Sequence, residues 1–219
     1  MSKITVTAFR WVPSSVQGLV RDLRVRWALE EAGLGYEERL VGPQDQKSAS
    51  YRAQQPFGQV PVFEQDDLVL FESGAIVLHI AEQAPALLPI DASARARVKS
   101  WMFAALSTVE PPILALHALG MAAPSSEGVV PARDKVAARV DDRLQSLASF
   151  LEGKQHLAGD FSAADLLMTT VLRALRDTPR VSSLPVLQAY VERCEARPAF
   201  QRALKAQLDT FARNAPAAH

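Results

Sequence analysis

The residues whose spacing promises most chemistry are Gln59-Val60-Pro61 and, a short run later, Glu72-Ser73-Gly74-Ala75-Ile76. A proline at the head of an apolar strand is tolerated only at an edge or a bend. An X–Pro bond takes the cis form at small cost. That form turns the preceding residue outward, so Val60 would offer its N–H and C=O to an extended peptide as one more strand. Ser73 stands where a helix is expected to begin and joins a hydroxyl to unpaired backbone N–H groups, a combination suited to a carboxylate. Glu72 beside it can accept hydrogen bonds from an ammonium group. The pattern predicts a site for the two charged ends of an amino acid whose peptide chain runs past Val60. In the plainer reading Pro61 ends a strand and Ser73 caps a helix.

The elements that must position these residues read as two modules. Ile4, Val6 and Ala8 alternate as in a strand. Val16, Leu19, Val20, Leu23 and Trp27 recur at helical spacing and predict a helix over 15–32, stopped at Gly33. Residues 36–41 suit a second strand and 47–54 a weak helix. Two apolar runs around the acidic stretch 64–67 predict a hairpin, and 73–83 a helix. The order β-α-β-α-β-β-α fills residues 1–83. No further strand is expected. Residues 84–91, with Pro85 and Pro89, read as a linker. An all-helical domain over 92–219 follows, with helices at 92–119, 132–151, 163–177, 185–196 and 198–212. Pro111-Pro112 must kink or split the first of these, and 122–131 reads as a loop. Ser162 and Asp165 have the spacing of a capping box.

Composition narrows the function classes. Hydrophobic residues make up 48% of the 219, enough for a sizeable core. Lys+Arg and Asp+Glu both count 24, so no basic footprint predicts a nucleic-acid partner. No run of 18 apolar residues predicts a membrane span. The start MSKITVTAFRW lacks the basic head and apolar core of a signal peptide. Cys194 is the single cysteine, which rules out an internal disulfide and suits a reducing, cytoplasmic setting. It falls on the apolar face of its helix, a core position rather than a redox one. His79 and His117 have no ligand-like spacing, so no metal is expected.

The run FGQVPVFEQDDLVLFESGAIVLHIAE resembles the glutathione-binding segment of glutathione S-transferases, and RVRWALEEAGLGYE resembles their first helix and second strand. The likeness extends over the whole chain in element order. It suggests a bacterial-type member with a serine-like or atypical active site. It implies a thioredoxin-like α/β domain (β-α-β-α-β-β-α) followed by an all-helical one. By this resemblance Val60 pairs with the cysteinyl part of glutathione, Pro61 is the cis-proline, and Glu72 and Ser73 take the γ-glutamyl end. Gln59 and Lys47 meet the glycyl carboxylate. Glutathione is then a co-substrate, the second substrate a small hydrophobic electrophile, the chemistry of detoxification type and the enzyme a homodimer. FSAAD, at 161–165, resembles the family's buried helix cap.

A thiol of pKa about 8.5 must be stabilised as thiolate before it attacks. In the family a Ser, Tyr or Cys just after the first strand does this with a hydrogen bond. Here the loop Arg10-Trp11-Val12-Pro13-Ser14-Ser15 contains neither Tyr nor Cys, so Ser14 and Ser15 are the candidates. The alternative is that both serines cap the following helix and backbone N–H groups meet the sulfur. Without a nucleophile-activating group, a non-catalytic glutathione-binding or regulatory protein of the same fold is the competing function.

Overall fold

A computed structural model describes residues 3–121 and 129–216. The chain opens with β1 (Ile4–Phe9), α1 (Asp22–Ala32), β2 (Glu37–Val41) and α2 (Ala49–Gln54). The hairpin β3 (Val62–Gln65) and β4 (Leu68–Phe71) follows, then α3 (Ser73–Glu82). The four strands form one sheet in the order β2-β1-β3-β4. β1 runs parallel to β2 and antiparallel to β3, with Val6 opposite Phe63 and Val62 opposite Phe71. This is the thioredoxin-like arrangement expected from the sequence.

The helices after the sheet are α4 (Ala92–Ala104), α5 (Glu110–Met121), α6 (Val129–Leu151), α7 (Ala163–Leu172), α8 (Pro185–Glu195) and α9 (Pro198–Arg213). By packing, the chain divides into one unit that runs to Leu88 and resumes at Ala196, and a second unit, Pro89–Glu195. The sequence reading counts everything from 92 onward with the helical domain, whereas α9 packs on α1 within the first unit. The reason is a seam of complementary side chains. Phe200 lies edge-on to the fully buried Trp27 at 4.8 Å. Arg197 grips the Glu31 carboxylate at 2.6 and 2.7 Å, and Arg202 reaches Glu30 at 2.6 Å.

α1 starts at Asp22, not at residue 15. Residues Ser14–Val16 make a separate 3-10 turn, and Gly18, at φ 76°, turns the chain before the helix begins. The apolar spacing of Val16, Leu19 and Val20 imitates a helix that a left-handed residue interrupts. Gly33, at φ 67°, ends α1 as expected.

In the second unit a wide π-type turn, Ala105–Val109, lies between α4 and α5. It stands just ahead of Pro111 and Pro112, which lack N–H groups and whose rings crowd the carbonyls four residues back. The chain therefore yields by widening the turn, not by breaking. Of the loop expected at 122–131, residues 122–128 lie outside the described residues and 129–131 begin α6. The helical run Ala92–Met121 reaches a mean hydropathy of 1.4 over 18 residues, enough by length and composition to cross a bilayer. Its face of Val98, Met102, Ala105, Val109 and Ile113 is buried in the helical unit.

α7 is the centre of this unit and opens with the expected Ser162/Asp165 capping box. The buried Asp165 carboxylate accepts from the N–H groups of Leu157 and Ser162, from Ser162 Oγ and from Tyr190 Oη, at 2.9–3.0 Å. Cys194 is fully buried, as its helical position predicts.

Candidate functional site

Sheet topology gathers the candidates. β1 leaves the sheet at the end where β3 enters, because the two are antiparallel. β2, parallel to β1, ends there too, and so does β4. The 10–21 loop, the turn bearing Lys47, the Val60–Pro61 step and Glu72–Ser73 thus all emerge at one end of one sheet. The β3–β4 pairing ends at Val62 opposite Phe71, so Pro61 precedes one partner of that last pair and Glu72 follows the other.

The Val60–Pro61 peptide bond is cis. Tyr51 Oη donates to the Gln59 carbonyl at 2.7 Å, and the Val62 N–H donates to Thr7 Oγ1 at 2.6 Å. These bonds pin the chain on both sides of Val60. Burial pushes the Tyr51 phenol above its usual range, partly countered by its bond to Thr7, so it stays a donor at neutral pH. Val60 is itself buried, and no hydrogen bond among the described residues engages its N–H or C=O. An extended peptide laid alongside would pair with this unengaged backbone step.

Gln59 and Lys47 are exposed. Lys47 closes the 3-10 turn Asp45–Lys47, and Gln46 Nε2 donates to the Gly58 carbonyl at 2.5 Å, which ties that turn to the residue before Gln59. Gly58 has φ 65°, and a Cβ there would stand 3.0 Å from the Gln46 carbonyl, so glycine is required.

Glu72 precedes α3 with φ 69°, a left-handed conformation that costs a non-glycine residue about 1–3 kcal/mol and is typical of ligand clamps. No side chain caps α3. Ser73 is buried, and Arg24 Nη1 donates to its Oγ at 3.2 Å. Arg24 has no signal in the sequence, because a charged residue on the inner face of a helix looks locally like any surface arginine. With Arg24 as donor, the Ser73 hydroxyl keeps its proton for a ligand.

Ser14 and Ser15 are exposed on their 3-10 turn. Neither caps α1, whose first-turn flank is Arg21. The loop is held from inside, because Gln17 Nε2 donates to the Val12 carbonyl at 3.0 Å. Among the described residues no group of three or more His, Cys, Asp or Glu side chains is placed to hold a metal.

A thioredoxin-like sheet with an open backbone step and an uncapped helix start is followed by a helical unit, and comparison with known proteins says which family has this arrangement. The model of the glutathione S-transferase N-terminal domain matches residues 7–82, and that of the C-terminal domain matches 102–198. Glutathione S-transferase 4 of Zea mays is 35% identical over 191 residues, covering 80% of this chain and 83% of that protein. Among solved structures, the theta class glutathione S-transferase of Xanthomonas axonopodis pv. citri, with glutathione bound, is 30% identical with a TM-score of 0.77, covering 93% of this chain and 98% of that one. Glutathione transferase F7 of Populus trichocarpa is 27% identical with a TM-score of 0.78, over 93% and 99%. The chain belongs to the glutathione S-transferase family.

Proposed function

We propose that the protein is a glutathione transferase that binds glutathione along Val60 and presents its thiolate to a small hydrophobic electrophile. The observation that carries this reading is the pairing of an unengaged backbone step at Val60 with Glu72, Ser73 and an uncapped helix start at the same sheet end. Val60 would pair with the cysteinyl residue. The Glu72 carboxylate would receive the γ-glutamyl ammonium, and Ser73 with the α3 N–H groups the γ-glutamyl carboxylate. Lys47 and Gln59 take the glycyl carboxylate. The family likeness, and the glutathione bound in the Xanthomonas relative, support glutathione as the ligand.

Thiolate stabilisation falls to a hydroxyl of the 10–21 loop, Ser14 ahead of Ser15. One hydrogen bond aimed at developing charge is worth about 10²–10³ in rate. A homodimer fits this reading, because Phe57 is 65% exposed and meets the exposed Phe71 edge-on beside exposed Leu68 and Val69. The lone, buried Cys194 fits a cytoplasmic protein.

Calorimetry with glutathione, alongside thiolate absorbance of the bound ligand, tests the reading. The wild type is expected to bind and to lower the thiol pKa. Ser73→Ala is expected to lose about tenfold or more in affinity, roughly 1.4 kcal/mol. Ser14→Ala is expected to keep affinity and lose the thiolate. Binding with no lowering of the thiol pKa would support the non-catalytic binder, and no binding at millimolar glutathione would remove the transferase reading.

A further inference from the structure

Gln207, on α9, is fully buried. Its single amide makes three hydrogen bonds, two to the segment between β1 and α1 and one to Asp22, the first residue of α1. Oε1 accepts from the Gly18 N–H at 3.1 Å, while Nε2 donates to the Val20 carbonyl at 3.2 Å and to Asp22 Oδ1 at 2.7 Å. These partners directly follow the turn that carries Ser14 and Ser15, and they lie 185 to 189 residues from Gln207 in sequence. The Asp22 carboxylate is gripped on its other oxygen by Arg26 Nε at 2.6 Å.

Docking of α9 does not rest on this amide alone. The helix already holds α1 through Phe200 on Trp27, Arg197 on Glu31 and Arg202 on Glu30. Thr210 Oγ1 also donates to Glu38 at 2.8 Å. A buried apolar side chain would fill the seam without desolvating an amide. What the amide adds is a fixed backbone at Gly18 and Val20, two points that set how the loop behind Ser14 and Ser15 enters α1. Both amide hydrogens and the carbonyl are committed to that one short stretch.

We propose that Gln207 is a positioning residue for the thiol-contacting loop, holding the backbone from which Ser14 and Ser15 are presented. The proposal rests on the glutathione reading above, and it adds a dependence of the sulfur site on a residue of the last helix. A misplacement of about 1 Å can cost about 10²-fold in rate, so a loosened loop should show in turnover before it shows in binding.

The test uses Gln207→Met, which keeps length and burial but withdraws the three bonds. Arg202→Ala, which removes an ion pair of α9 without touching the loop, controls for general loosening. Amide hydrogen exchange at Gly18, glutathione KM and kcat, and thiolate absorbance of bound glutathione are read for each. Gln207→Met is expected to speed Gly18 exchange about tenfold or more. It should also raise the bound thiol's pKa and lower kcat about tenfold or more, with KM for glutathione moved less than about twofold. Arg202→Ala should do none of these. Should Gln207→Met fail to fold, Gln207→Asn, one methylene shorter, carries the same expectations. Unchanged Gly18 exchange and kcat in the Gln207 variant, or equal losses in Arg202→Ala, would overturn the proposal. A wild type that binds no glutathione overturns the transferase reading instead, while Gly18 exchange still reports separately whether Gln207 holds the loop.

Discussion

Arg24 is 5% exposed and donates to Ser73 Oγ, so a guanidinium lies directly behind the hydroxyl read as a carboxylate anchor. Charge-assisted bonds of this kind are worth about 1.5–3 kcal/mol. Arg24→Met is expected to raise KM for glutathione about tenfold or more with kcat little changed, because the anchor serves ground and transition states alike. Steady-state kinetics with glutathione as the varied substrate checks this; a fall in kcat at constant KM would place Arg24 elsewhere in the mechanism. The contrast between Ser73 and Arg24 also marks what a sequence reveals at this scale. Val60-Pro61 and Glu72-Ser73 are legible because their chemistry is local: a proline after an exposed amide, a hydroxyl at a helix start. Arg24, Asp22 and Gln207 are invisible, since such residues are ordinarily exposed and their burial depends on helices far apart in the chain.

At the scale of elements, α7 hangs on one carboxylate. Asp165→Ala leaves the Leu157 and Ser162 N–H groups and the Tyr190 hydroxyl without their acceptor. At about 1–3 kcal/mol for each buried orphan, a loss of about 3 kcal/mol or more is expected in urea unfolding. Tyr190 adds a pH dependence. Burial, reinforced by the neighbouring Asp165, raises its phenol well above the ordinary tyrosine range. A raised folded value means that stability is intact below the unfolded pKa near 10 and falls as pH climbs past it. The urea midpoint is expected to drop above pH ~10, and Tyr190→Phe to flatten part of that drop. The elements themselves were largely legible: α8 and α9 begin where their prolines and apolar spacing predict. The exception, 15–21, carries helical periodicity, and its backbone is instead fixed by Gly18's left-handed turn and by Gln207. Periodicity reports which side chains are apolar, not which backbone groups are already committed.

For the whole molecule, the proposed homodimer would cover the exposed Phe57, Phe71, Leu68 and Val69. Phe57→Asp is expected to weaken self-association about 30-fold or more, the scale of an aromatic hot spot, with the glutathione site intact; sedimentation at several concentrations reads it. An unchanged stoichiometry would assign the patch to something other than a second copy. The division of the chain into packing units has its own bearing on how the molecule comes into being. Residues up to Leu88 leave the ribosome first, yet their unit is completed only by the stretch from Ala196 onward. At about 5–20 residues per second, the intervening stretch takes roughly 5–20 s to make. For that time Trp27 and Asp22 face no α9, and the nascent first half carries an unsealed seam. The half of the protein made first is the half completed last.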